Sequence, residues 1–598
     1  MPTSAVKPTE IRREISTISP AQAHAQLQKI LEDSLFSRTQ RMSRFLRFGV
    51  EHALAGTGHQ VKEYLVGVDV FDRPKDYDPR VDPIVRVEAR RLRAKLRSYY
   101  ASSGKTDELI IDFPKGAYSA ELHLRSSAQS IIPAPEAACE TSIAVLPFAN
   151  LAPGKDEDYF SDGLTEELIL HLTRMKGLRV VAWYSASKFR GREEDLNEIR
   201  AQLKVGVVLR GSVRRSESRV RVTVQLIDAA SGAFLWADAF ERGMHDMVAI
   251  QQEIAHSIAA TLRPALGAAE EPEKSARKLN PECYNLCLEA RFHANRRNAE
   301  GLQRSVLCYQ RAIEKDPHSA SAYAGLADAY SLLADYGVLH PSQVMPLAES
   351  AARRALELDE NSAEAFNSLA FIQATFRWNW SEAEDLYRRA ISLNPSYARA
   401  HHWLGSDLLA VLGRMDEAEA EVRIAIELDP LSLIVHEGVG YIQVLRRNYE
   451  AALESHRRLV DLDPMFYKAH SSIGRVLCQM KRYDQAIEAF EKALGVGGVV
   501  PSTVAAMGQA LALAGRKDDA RKCLEELQTM ARTRYVTSSC FAVVHLGLGE
   551  ISRSLDWLEN SCAQHELATK AIIVHPLWDP LRGEPRFQTL VQRIASLP

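Results

Sequence analysis

The chain has 598 residues, 46% of them hydrophobic and 25% charged, a globular composition that excludes a disordered or fibrous protein. Its length suits about three to five domains. Net charge is −3, yet residues 1–125 hold 21 Lys and Arg against 16 Asp and Glu, so nucleic-acid binding is expected of the basic amino-terminal part and not of the acidic remainder.

No apolar run approaches the roughly 20 residues a bilayer-spanning helix needs, and MPTSAVKPTEIRREIS lacks the apolar core of a secretory signal. Eight cysteines (Cys139, Cys283, Cys287, Cys308, Cys478, Cys523, Cys540, Cys562) form no CxxC pair and adjoin no His-rich cluster, so neither a metal nor a disulfide framework is expected. Cys283 and Cys287 share a helical face and read as buried thiols. These features together predict a cytoplasmic protein without membrane contact.

Residues 1–20 read as a flexible tail, followed by helix-like segments at 21–33, 39–54 and 61–70. After an Asp/Pro-rich turn at 73–79 comes VRVEARRLRAKLRSYY (85–100). At about 100° per residue, Arg86, Arg90, Arg93 and Arg97 fall in one stripe. Val85, Ala89, Leu92, Leu96 and Tyr99 form a second stripe that a core would anchor. Guanidiniums held this way can meet phosphates and guanine edges; the plainer reading is a solvated charged face, as for Arg91 and Lys95 beside Glu88. Two strand-like segments, 109–113 and 118–124, join across Pro114-Lys115-Gly116.

VDPIVRVEARRLRAKL (81–96) and the wing FPKGAY (113–118) resemble the OmpR/PhoB-type winged-helix effector domain over about 60 residues. The resemblance implies that Arg86, Arg90, Arg93 and Arg97 face double-stranded DNA and that Lys115 contacts a phosphate. It admits a homodimer on tandem sites. It departs upstream, where that family has a small antiparallel sheet and this chain reads as helices. The winged-helix domain is assigned to 21–124.

Residues 125–140 form a Ser/Ala/Pro-rich linker. Strand and helix patterns then alternate over 141–266, closing with a helix at 247–262, as an α/β domain with a mixed sheet requires. SIAVLPFANLAPGKDEDYFSDGLTEELILHL (142–172), LRGSVRRSESRVRVTVQLIDAASGAFLWADAF (209–240) and IQQEIAHSIAATL (250–262) resemble the TolB-amino-terminal-like module of bacterial regulators. That resemblance implies a ligand- or partner-sensing role and no established catalytic chemistry.

After a linker at 267–280, residues 281–598 repeat. Leu369-Ala370, Leu404-Gly405, Val439-Gly440, Ile473-Gly474 and Met507-Gly508 are spaced 35, 35, 34 and 34 apart. Pro395, Pro430 and Pro464 keep the period that Pro317 opens, and small residues (Ala383, Ala418, Ala452, Ala486) stand where paired helices would cross. This is the tetratricopeptide (TPR) signature. The pattern weakens after Pro501, and residues around Trp578 with a final helix are expected to cap the array.

Chemical motifs are missing: no phosphate-cradling Gly-rich loop, HExxH or GxSxG is present. Glu166-Glu167 and Glu193-Glu194-Asp195 read as solvated helix-start charges, and His401-His402 as a groove or surface pair. Some architectural relatives carry a nucleotide cyclase domain, but the amino-terminal region has no metal-binding aspartate pair on adjacent strands. The expected fold is therefore multidomain, a winged helix (α+β), a small α/β domain and an all-α TPR superhelix. The expected function is a non-enzymatic, cofactor-free DNA-binding transcriptional regulator whose α/β module senses and whose TPR groove binds a protein or peptide. The alternatives are a TPR scaffold that does not bind DNA and an enzyme built on the α/β domain.

Overall fold

The computed structural model describes residues 19–33, 36, 39–57, 61–74, 77, 84–101, 103–105, 107, 109–114, 118–124, 142–151, 158–175, 177–192, 195–215, 219–243, 247–266 and 280–595. The chain divides into two compact units, 1–135 and 136–598.

The first unit is organised by its apolar stripe. Helices α1 (Pro20–Glu32), α2 (Gln40–Leu54), α3 (Glu63–Asp69) and α4 (Ile84–Ala101) precede the hairpin β1 (Leu109–Asp112) and β2 (Glu121–Leu124). The strands pair antiparallel, Leu109 opposite Leu124 and Asp112 opposite Glu121. Ser19 and Gln22 form a capping box that starts α1. Val85, Ala89, Leu92, Leu96 and Tyr99 of α4 are all buried with Phe45, Leu46, Val50, Ile111 and Phe113. Phe45 meets Phe71 and Phe113 edge-on, at centroid distances of 5.5 and 5.8 Å. Gly49 is required because a Cβ there would strike the Phe113 ring, and its carbonyl accepts the Ala120 N–H at 3.1 Å.

A buried carboxylate ties the unit together. Asp107 accepts from Gln26 Nε2 (2.6 Å), Lys29 Nζ (2.5 Å) and the Tyr99 hydroxyl (2.8 Å). Burial pushes this carboxyl up, but the bonds from Gln26, Lys29 and Tyr99 outweigh it and hold the group below the ordinary aspartate range.

In the second unit, strands β3 (Ser142–Val145), β4 (Ala149–Asn150), β5 (Arg179–Val180), β6 (Val207–Arg215), β7 (Arg219–Asp228) and β8 (Phe234–Gly243) form one sheet. Their order is β5-β3-β6-β7-β8, with β4 also beside β6. β3 runs parallel to β5 and β6, while β6, β7 and β8 are antiparallel, giving the expected mixed sheet. Ile143 and Val145 face α5 (Asp158–Thr173) and α8 (Met247–Leu266). Ala144 and Leu146 face the opposite core with Phe189, Ile199 and Leu203, following the two-residue alternation of a strand. Helices α6 (Trp183–Ser187) and α7 (Leu196–Leu203) lie in the connection between β5 and β6.

Eight helix pairs follow among the described residues, from α9 (Pro281–Ala294) and α10 (Ala299–Lys315) to Ser538–Leu548 and Ile551–Ala563. Ala383, Ala418, Ala452 and Ala486 have no exposed surface, and a Cβ on Gly474 would come within 2.6 Å of the Phe490 ring. Small residues thus permit the helix crossings, as the period implies. Pairing continues to Ala563 although the sequence pattern weakens after Pro501. Gly547 explains this in part: its Cβ would meet Gln509 at 2.9 Å, so close approach persists off the usual register.

The array closes on itself. Beyond Ala563, turns of 3-10 helix at Leu567–Ile573 and Pro576–Leu581 lead to a helix at Pro585–Ala595. Ile572, Trp578, Leu581, Phe587 and Ile594 share one core with Phe376, Trp378, Leu408 and Leu445. Trp380 Nε1 donates to the Ile594 carbonyl (3.1 Å), Lys570 pairs with Asp407 (2.7 Å), and Arg447 pairs with Asp579 (2.9 Å). The His565 ring stacks on Trp378 at 4.5 Å.

The α/β module is clasped by these repeats rather than merely tethered to them. A Cβ on Gly163 would meet Leu288 Cβ at 2.7 Å. Asn394 Nδ2 donates to Thr173 Oγ1 (3.0 Å), the Ala182 N–H to the Leu428 carbonyl (2.8 Å), and the Ser185 N–H and hydroxyl to Asp429 Oδ1 (3.1 and 2.5 Å).

Candidate functional site

Helix α4 has 18 residues, about 27 Å of rod, and buries its apolar stripe in the core of the first unit. Arg86 is exposed and its Nε lies 2.9 Å from Glu63 Oε1 of α3. Half-buried Arg93 turns toward the hairpin: its Nε donates to the Phe113 carbonyl (2.7 Å) and Nη2 to the Pro114 carbonyl (2.9 Å). Arg93 therefore fastens α4 to the start of the hairpin turn. Arg90 and Arg97 belong to the same helix, but their side chains lie outside the described residues, as does Lys115.

Two further residues join this cluster that their sequence positions did not single out. Glu63 accepts from Arg86, and its charge acts on the Tyr118 phenol. Burial, then the Glu63 charge, push the Tyr118 phenol up. The Glu63 carboxylate thus braces the arginine helix against α3. On the other side, Arg91 pairs with Glu88 at 2.7 Å, three residues apart, as read. Lys95 donates to Thr39 Oγ1 at 3.1 Å and sits over the Phe36 ring.

Glu166 and Glu167 correct the reading of solvated charges. Both lie in α5 and meet α9: Arg291 pairs with Glu167 and lies 3.9 Å from Glu166, and Asn295 Nδ2 donates to Glu166 at 2.9 Å. Burial outweighs Arg291 for Glu166, whose carboxyl is raised. For Glu167 burial is outweighed, and Arg291 holds it low. Asp195 caps α7 by accepting the Glu198 N–H at 3.1 Å, while 193–194 lie outside the described residues. His401 is no surface pair: it is buried, 2.6 Å from Glu421, with Nε2–H donating to the Pro395 carbonyl at 3.1 Å. Burial lowers the neighbouring His402.

The first helices of successive pairs carry a polar row that includes Asp328, Arg399, Asp407, Tyr441 and Lys468. Arg399 Nη1 bonds both Asp328 oxygens (2.5 and 2.6 Å) and lies over the Trp403 ring. Lys468 lies over the Tyr336 ring at 5.1 Å. Burial, with Arg475 next, lowers His575 to about 3, so the cap carries a neutral imidazole beside Tyr441. No helix of the described residues is long and apolar enough to cross a membrane.

Known proteins share parts of this architecture. Residues 137–257 match the profile of the second domain of HilA/YgeH-like transcriptional regulators. Residues 379–432, 440–499 and 473–534 match a tetratricopeptide repeat profile. A 196-residue stretch is 37% identical to "Putative adenylate cyclase 3" of Rhizobium meliloti (strain 1021), covering 33% of each chain; the match thus spans a third of that relative's length. Among solved structures, a Pseudomonas aeruginosa pilF protein aligns at 20% identity over 40% of this chain and 97% of its own, with a TM-score of 0.29. A tetratricopeptide repeat protein of Parabacteroides merdae ATCC 43184 aligns at 15% identity over 45% and 100%, with a TM-score of 0.34. The chain is therefore multidomain, with a regulator-type second domain and a large helical-repeat region.

Proposed function

We propose that the protein is a cytoplasmic, non-enzymatic transcriptional regulator that binds double-stranded DNA through α4 and the β1–β2 hairpin. The α/β module, TolB-amino-terminal-like in sequence, acts as the sensor, and the repeats take up a protein or peptide. One observation carries the reading: Arg93 fastens an arginine-striped helix to a hairpin at its two carbonyls, the pairing of reading helix and wing that OmpR/PhoB-type domains use. The regulator-type second domain that follows favours the same conclusion. Arg86 and Arg93 serve within the fold, so direct base or phosphate contact falls to Arg90, Arg97 and Lys115, with Arg86 released from Glu63 on binding.

The test is fluorescence anisotropy on genomic duplex fragments across a salt series. Arg90→Ala with Arg97→Ala should weaken binding and lower the salt slope by about two units, while far-UV circular dichroism stays unchanged. Undiminished binding by the double variant refutes the assignment. The internal use of Arg86 and Arg93 favours one alternative, an adaptor whose arginines are structural. Absence of any duplex binding by the intact chain would establish it.

A further inference from the structure

Outside these regions, one side-chain cluster joins three different metal-binding chemistries. Glu289 and His293 stand four residues apart on α9, and Cys308 faces them from α10. One donor atom from each, a carboxylate oxygen, an imidazole nitrogen and the sulfur, all lie within 4.8 Å of one another. His293 Nε2 is 3.8 Å from Glu289 Oε1, and the Glu289 carboxylate neighbours the Cys308 thiol. The His293 side chain is 12% exposed, and its buried Nδ1 has no hydrogen-bond partner. Cys308 is 6% exposed.

We propose that Glu289, His293 and Cys308 bind one divalent transition-metal ion of the zinc class, with water completing the coordination. Mixed O, N and S donors suit zinc and cobalt and disfavour magnesium or calcium. Tetrahedral ligands at about 2.0–2.3 Å from a metal stand roughly 3.5 Å apart, so the donors close by about an ångström, which rotation of the half-exposed Glu289 side chain supplies. Burial lowers the proton affinity of His293, with Arg296 and Arg304 adding to it and the Glu289 charge opposing it. The thiol, pushed up to about 11 chiefly by burial, loses its proton to solvent as the sulfur–metal bond forms. At about 100° per residue, Arg291 lies on the far side of α9, so the site and the contact with Glu166 and Glu167 occupy opposite faces of one helix.

Sequence spacing alone predicts no metal here, because the thiol comes from the next helix rather than from a CxxC pair. The full-length chain, stripped with chelator and titrated with cobalt(II) alone, should show a thiolate-to-cobalt charge-transfer band saturating at one ion per chain. Cys308→Ser should abolish that band, and Cys523→Ser should leave it intact. Glu289→Gln, at a half-exposed position, should weaken cobalt binding by at least the tenfold or so seen for loss of an outer-shell partner. No band in the unsubstituted chain, or a band that survives Cys308→Ser, overturns the proposal.

Discussion

Replacing Arg291 with alanine tests how firmly the α/β module is held to the repeats. Arg291 is 16% exposed, and the carboxylates it meets, Glu166 and Glu167, are 17% and 20% exposed. Removing the guanidinium leaves two neighbouring carboxylates facing each other with little water, and only Asn295 and the more distant charges of Arg399, His171 and Arg174 to compensate. Breaking a buried pair from one side costs about 3–5 kcal/mol, against about 0–1 kcal/mol for an exposed pair. Arg423–Glu419, with Arg423 71% exposed, supplies the control. Urea unfolding of the full chain should show the Arg291→Ala loss at pH 7 and almost none for Arg423→Ala. In the Arg291 variant both carboxyls should titrate above their unfolded values of about 4.3, so the penalty should shrink as pH falls toward 5. Glu167→Gln in the same chain should restore part of the loss. A deficit below about 1 kcal/mol at pH 7, or one that ignores pH, would refute the buried-triad account.

Three further outcomes follow from the packing. Burial raises Asp429 to about 6 despite the bonds from Ser185, above an unfolded value of about 3.9. Stability should therefore decline by on the order of 2 kcal/mol as pH rises from 4 to 6, and Asp429→Asn should flatten that segment in pH-dependent urea midpoints. Gly474→Ala forces a methyl against Phe490 and should cost about 1–3 kcal/mol, while Gly495→Ala, with open space around it, should stabilise its helix by up to about 1 kcal/mol; thermal melts distinguish them. Trp578→Ala removes a side chain only 4% exposed and should cost about 3–5 kcal/mol, with limited proteolysis reporting faster cleavage near Trp378 and Trp380.

Periodicity made much of this legible. The second stripe of α4, the alternation of β3 and the 34-residue spacing of small residues each reflect a local geometric repeat, and each is buried as its period demands. What periodicity does not encode is the partner of a polar group. Arg93 shares a wheel position with Arg90 and Arg97, and nothing in that wheel shows that the Phe113 and Pro114 carbonyls will claim it. Glu166 and Glu167 look like solvent-facing helix charges until α9 arrives over a hundred residues later carrying Arg291. Glu289 and His293 are visibly one turn apart, but Cys308 reaches them only after α10 folds back. The seam between residues 376–447 and 565–594 leaves no local signature, because it depends on the accumulated curvature of every intervening pair.

That seam changes what kind of object the repeat region is. An open solenoid behaves as a spring with two loose ends, so pairs can be gained or lost during evolution, and fraying begins at a terminus. Here the last turns bolt onto the third, fourth and fifth pairs, and every pair after these is held under a fixed circumference. Inserting or deleting a single 34-residue unit would slide Trp578 and Ile594 away from Trp378 and Trp380, so the number of pairs is set by closure. Within the closed stretch no pair can swing free until the seam unlatches, which makes the carboxyl-terminal turns the keystone of the arch rather than its trailing edge.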